Sequence, residues 1–204
     1  MTPDREVEVY REKDGHAWRI GGDAEIAWIR ENTEVTRAIT SAIPPQFSAY
    51  ATLEQPGSGD RDPQSWLEDR GRHDAAVLAV LSENTLVQPW WLGYLDTGGA
   101  DVIFYDVRKV SLFPTHDYVV IEAGPEQAGA WRAAWDRWKG ILPDLMFPAD
   151  RSWLVSTLWD DDWTCIGGSS ELVEAFVAHP DLRHRTRKVD LSVADVTPPG
   201  HAAI

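Results

Sequence analysis

The chain has 204 residues, 43% of them hydrophobic, eleven tryptophans, one cysteine and a formal net charge of −14. That length supports one well-filled core and would crowd a second. No apolar run is long enough to cross a bilayer, for which about 18 residues are needed, so no membrane association is expected. Cys165 alone can form neither an internal disulfide nor a cysteine-based zinc cage. The acidity opposes phosphate backbones and excludes direct nucleic-acid binding as an expectation. Thr2-Pro3-Asp4-Arg5-Glu6 lacks the basic-then-apolar order of a secretory signal, so cytoplasm is the expected compartment.

In chain order, residues 6–10 and 16–20 read as short strands around the turn Lys13-Asp14-Gly15. Ile20-Gly21-Gly22-Asp23-Ala24-Glu25-Ile26 then leads into a helix at 23–30. Residues 35–43 are ambiguous and end at Pro44-Pro45, 47–54 alternates as a strand, and 55–63, containing Gly57-Ser58-Gly59-Asp60, is a surface loop. A helix spans 66–84, with Ala76, Leu78, Ala79 and Leu81 on its buried side. Strands follow at 90–95, 102–105, 110–113 and 118–121, and their short connections favour an antiparallel meander. The helix at 125–139 opens on Pro125 and places Ala128, Trp131, Trp135 and Trp138 three and four apart, the ridge that packs a helix onto a sheet.

The most coherent stretch is 148–177. Trp153, Val155, Thr157 and Trp159 alternate with Leu154, Ser156 and Leu158, the period of a strand covered on both faces. Asp160, Asp161 and Asp162 break it with a turn, because unpaired carboxylates cannot enter a core. Residues 163–166 form the return strand, and Gly167 and Gly168 redirect the chain. Ser169 or Gly168 caps a helix that carries Glu171 in its first turn and Leu172, Ala175 and Phe176 on one face. Strand, glycines, cap and acidic first turn repeat the arrangement at 20–26, and Ile121-Glu122-Ala123-Gly124-Pro125-Glu126 is a looser version. Such recurrence records either the common needs of strand-to-helix turns or a duplication. The expected architecture is a single α+β domain over 1–190, an antiparallel or mixed sheet packed by about four helices, followed by an extended, partly disordered tail at 191–204.

Two chemistries are suggested locally. Leu95-Asp96-Thr97-Gly98 resembles the Asp-Thr-Gly turn of aspartic proteases, and Cys165-Ile166-Gly167 echoes a second element of the retroviral type. The resemblance implies a dimer in which two Asp96 carboxylates share a proton and activate water, with Thr97 and Gly98 shaping the turn. As an ordinary connection, every residue of Asp96-Thr97-Gly98-Gly99 is equally at home. Asp150, Asp160, Asp161 and Asp162 could gather Ca²⁺, but their spacing is not that of an EF-hand loop, and neither metal nor cofactor is expected. Cys165 inside an apolar strand is an inert core residue, and no phosphate loop, dinucleotide pattern or nucleophile elbow occurs.

The block from Pro148 to Gly168, with Gln88-Pro89-Trp90-Trp91-Leu92-Gly93-Tyr94, resembles a group of acidic bacterial proteins and brings no activity with it. In type, as a small, acidic, aromatic-rich α+β domain, the chain is similar to the immunity proteins of polymorphic toxin systems, the Smi1/Knr4 kind. That likeness implies a non-enzymatic binding module; the acidity itself serves either solubility or electrostatic complementarity to a basic partner protein. The expected contact residues are Asp150, Arg151, Asp160, Asp161, Asp162 and Trp163, carboxylates beside an aromatic anchor.

Overall fold

The computed structural model describes residues 9–33, 38–57, 62–97, 102–113, 116–132, 142–158 and 163–191. Along them run β1 (Val9–Lys13), β2 (His16–Ile20), α1 (Asp23–Arg30), a 3-10 turn (Ile39–Ser41), β3 (Ala49–Glu54), α2 (Pro63–Glu83), β4 (Trp90–Leu95), β5 (Val110–Phe113), β6 (His116–Ala123), α3 (Pro125–Ala130), β7 (Leu145–Pro148), β8 (Leu154–Ser156), β9 (Trp163–Gly168), α4 (Ser170–Ala178) and β10 (Thr186–Val189). The described strands make one ten-stranded sheet in the order β1-β2-β6-β4-β7-β8-β9-β3-β10, with β5 paired to β6. Every pairing is antiparallel. The chain is thus α+β, with four α-helices among the described residues packed on an antiparallel sheet.

Both faces of the sheet are buried, which is why its central strands read as nearly continuous apolar runs. Trp90, Leu92 and Tyr94 of β4 point to one face with Val119, Ile121, Met146 and Ile166, where α2, α3 and α4 supply Val77, Ala128 and Phe176. Trp91 and Leu95 point to the other with Val120, Leu145, Phe147 and Cys165, beneath Ile26 and Ile29 of α1 and Ile39 of the 3-10 turn. The two-residue period therefore sorts one strand's side chains between two helical layers.

The strand-to-helix junctions use local chemistry of three kinds. At α1 the Glu25 carboxylate accepts the Gly22 N–H at 2.6 Å, at α3 Pro125 occupies the first turn, and at α4 the Ser169 hydroxyl accepts the Leu172 N–H at 3.2 Å. These satisfy or remove donors that a helix start leaves open. The glycine at the third junction is there for clearance: a Cβ on Gly167 would stand 2.5 Å from both Ile43 Cγ2 and Phe47 Cδ2. Among the described glycines the left-handed backbone occurs at Gly15, with φ 79°, in the β1–β2 turn.

Several elements differ from expectation. Val102 and Ile103 are buried, but 102–107 is a turn with Phe104 at φ 57°, not a strand. The expected meander is also rearranged: β4 pairs with β6 and β7, and β5 with β6. β7 and β10 are strands where none was expected, and β8 covers only Leu154–Ser156 of the expected 153–159. In the tryptophan ridge, Trp131 is buried and meets Trp18 edge-on with ring centroids 5.2 Å apart. Trp135 and Trp138 lie outside the described residues, as do 192–204 of the expected tail.

β10 forms one margin of the described sheet. The Glu54 N–H donates to the Arg185 carbonyl, so by antiparallel alternation Thr186 and Lys188 turn their backbone groups away from β3. The Thr186 N–H is taken by the Leu182 carbonyl at 2.9 Å, and its C=O accepts Arg187 Nη1 at 2.9 Å.

Candidate functional site

The antiparallel order gathers the last residues of β3, β4 and β8 and the first residues of β6, β7, β9 and β10 at one end of the sheet. A continuous polar network occupies that end. Thr157 and Thr164 join hydroxyl to hydroxyl at 2.8 Å, and Gln55 Nε2 donates to Thr164 at 3.3 Å while its Oε1 accepts Arg70 Nη1 at 2.7 Å. Arg70 Nε donates to Asp74 Oδ2 at 3.1 Å, and His73 Nδ1 lies 2.9 Å from Asp74 Oδ1. From Thr157 the network also runs the other way, its N–H donating to the Asp144 carbonyl at 2.8 Å. The Asp144 carboxylate accepts the Leu95 N–H and Arg132 Nη2, each at 2.8 Å, and Arg132 lies 4.9 Å over the Tyr94 ring.

Arg70, His73 and Asp74 are buried, as is Arg132. Burying charge requires a partner, and these charges supply each other's: Arg70 with Asp74, and Arg132 with Asp144. A carboxylate oxygen accepts, so the bond to Asp74 has His73 Nδ1 as its donor. That leaves Nε2 buried and without a hydrogen-bond partner, as is the Tyr94 hydroxyl. Burial pushes the Tyr94 phenol far up, so it remains a neutral O–H. With His73 only 4% exposed, the network's chemistry is to tie α2 and α3 to strand ends rather than to offer a base to solvent.

The protease-like turn sits beside this network. The Asp96 carboxylate is ion-paired with Lys109, and the Asp96 N–H donates to the Asp117 carbonyl at 2.8 Å. Thr97 is exposed, and Gly98 lies outside the described residues. Cys165-Ile166-Gly167, the second patch of that resemblance, is in β9, with β7 and β8 between it and β4. Three strand spacings, about 14 Å, separate the two patches.

The opposite end of the sheet is built differently. The loop from α2 to β4 is fastened at two points: Trp153 Nε1 donates to the Thr85 hydroxyl at 2.7 Å, and Gln88 exchanges two bonds with Asp150, Nε2 to Oδ2 at 2.8 Å and Asp150 N–H to Oε1 at 2.9 Å. Slight desolvation works to raise the Asp150 pKa, but donors from Gln88 and Ser152 outweigh it and hold the carboxyl below the usual range. Between the fastenings stand Leu86, 80% exposed, and Val87, 108% exposed. Next to Asp150, Arg151 takes φ 58° and carries its guanidinium 5.5 Å over the Trp28 ring.

The residues expected to form one contact surface are thus divided. Asp150 and Arg151 follow β7 at the loop-bearing end, whereas Trp163 begins β9 at the network end, about 17 Å away along that strand. Trp163 is 4% exposed and belongs to the core, while Asp160, Asp161 and Asp162 lie outside the described residues. Leu86 and Val87 were missed. Their one signal is an apolar pair placed in the short polar connection Asn84-Thr85-Leu86-Val87-Gln88-Pro89.

Elsewhere, a cleft of about 510 Å³ opens between β3, α4 and β10. Of its polar lining, Lys188 is paired with Glu174, and the Tyr50 hydroxyl accepts from the Phe47 N–H and donates to the Pro44 carbonyl. Among the described residues no three metal-ligating side chains gather, and no helix is long and apolar enough to cross a membrane. The chain matches no family model, no curated protein and no solved structure.

Proposed function

We propose that the chain is a non-enzymatic, acidic protein-binding module of the immunity or regulatory kind, whose partner is a basic protein. The observation that carries this reading is how the charges are spent. Among the described residues every lysine and arginine except Arg151, Arg183 and Arg187 holds a carboxylate in an ion pair. Surplus carboxylates face water, among them Glu31, Glu54, Asp62, Glu83, Glu126, Asp150 and Glu171, which are exposed and hold no cation among the described residues. The described surface therefore displays carboxylates that no described cation answers, on a chain whose formal net charge is −14, and such a field steers association with a cationic surface.

The test is capture by the tagged chain from native lysate at low salt, followed by elution at high salt. A basic protein retained in near-stoichiometric amount and released by salt is the expected result. Recovery of no protein, or only of proteins that salt does not release, overturns the reading.

A further inference from the structure

Accepting that reading, we infer that the basic partner docks on the Leu86–Val87 loop, seating these two side chains in an apolar pocket rimmed by lysine or arginine. Two independent features converge there. The first is mechanical: the loop is bonded at Thr85 to Trp153 and at Gln88 to Asp150, so its tip is held in place while Leu86 and Val87 stand almost wholly in water. With the chain fastened on both sides of the pair, burial by a partner costs little further backbone freedom, and such preorganised anchors make efficient contacts.

The second feature is electrostatic. Glu83 ends α2 just before the loop, Asp150 is the carboxylate that fastens it, and Glu171 lies in the first turn of α4 at the same end of the sheet. All three are exposed and none holds a cation among the described residues. Donors from Gln88 and Ser152 fix the Asp150 carboxylate in position. An apolar tip flanked by uncompensated carboxylates selects a partner whose own pocket is bordered by positive charge. A purely apolar partner would leave those carboxylates desolvated and unpaired.

The experiment uses the full chain, the L86S/V87S double variant, and Y105S, at another exposed hydrophobic side chain, as a control. The protein that the wild type captures and salt releases is purified, and its Kd for each chain is measured at two salt concentrations. The double variant should bind about tenfold or more weakly with an unchanged thermal midpoint, while Y105S binds within about twofold of wild type. Equal affinity of wild type and double variant overturns the docking surface and leaves the module reading standing. Absence of any salt-released partner of the wild type overturns both. If the purified wild type sediments as a dimer and the double variant as a monomer, the occupant is a second copy of this chain and the basic partner falls.

Discussion

At one end of the sheet, Arg70, Asp74, His73 and Arg132 are buried, and each charge is answered from within the chain. At the other end Leu86 and Val87 are exposed, and nothing in the described structure covers them. The two ends break opposite rules of burial, and the costs are unequal. A buried ion left without its partner costs several kcal/mol, whereas an exposed leucine or valine is tolerated by any soluble protein. The network end should consequently control stability and the loop end recognition, and substitutions can separate the two.

The largest effect is expected from Asp74→Ala, which strands the Arg70 guanidinium and His73 together inside the network. About 3–5 kcal/mol of stability should be lost, seen as a thermal midpoint about 10 °C or more lower at this chain length. Asp144→Ala should come next, at about 2–3 kcal/mol, since it frees Arg132 and the Leu95 N–H in a less enclosed setting. Denaturant titration at constant slope measures it. At the loop end, Thr85→Val removes the acceptor of Trp153 Nε1 and should cost about 1 kcal/mol. It should also weaken partner binding, because the tip is no longer held. A loss of stability at L86S/V87S comparable to that at Asp144 would erase the contrast between the ends; a change within about 0.5 kcal/mol is expected.

The smallest effect is a pH dependence. The Asp150 carboxyl lies below its ordinary value of 3.8, so its contribution to stability is present above that pH and is lost as pH falls through the lower folded-state value. The stability difference between wild type and Asp150→Asn, read from thermal unfolding, should hold from pH 7 down to about 4 and shrink below it. A difference that grows on acidification would contradict the hydrogen-bonded arrangement with Gln88.

The sequence made α1 and α4 legible because caps and apolar spacing agree there, and β4, β6 and β9 because their runs suit a sheet covered on both faces. It placed α2 but not its buried side: Ala79 is exposed, and Val77 and Val80 line the core with Ala76 and Leu81. The apolar run Val102-Ile103-Phe104-Tyr105 has the same composition but is a turn, and composition cannot tell a buried strand from a buried turn. β10 is hidden by Arg187 and Lys188, since a short charged segment reads as tail although sheet margins favour that pattern. Proline at both ends obscures β7; Pro148 is tolerated at the strand's last position, opposite Trp90. Within the candidate surface, the exposure of Asp150 and Arg151 was legible from their charge. Trp163 was not, because a tryptophan beside three aspartates looks the same whether its ring faces water or the core. The ion pair of Arg70 and Asp74 has the spacing of any solvated helix pair, and only the neighbouring strands make it interior.

The Arg187 guanidinium on the Thr186 carbonyl has a consequence for the protein in bulk. An open sheet margin is a template on which further copies can assemble by backbone pairing alone, without regard to sequence. Here the guanidinium and the Leu182 carbonyl occupy Thr186, so Lys188 is the one residue of β10 whose outward groups remain for an incoming strand. A single residue of pairing, placed beside an ammonium, is too small a seed for strand addition. Strand addition at this margin is therefore disfavoured.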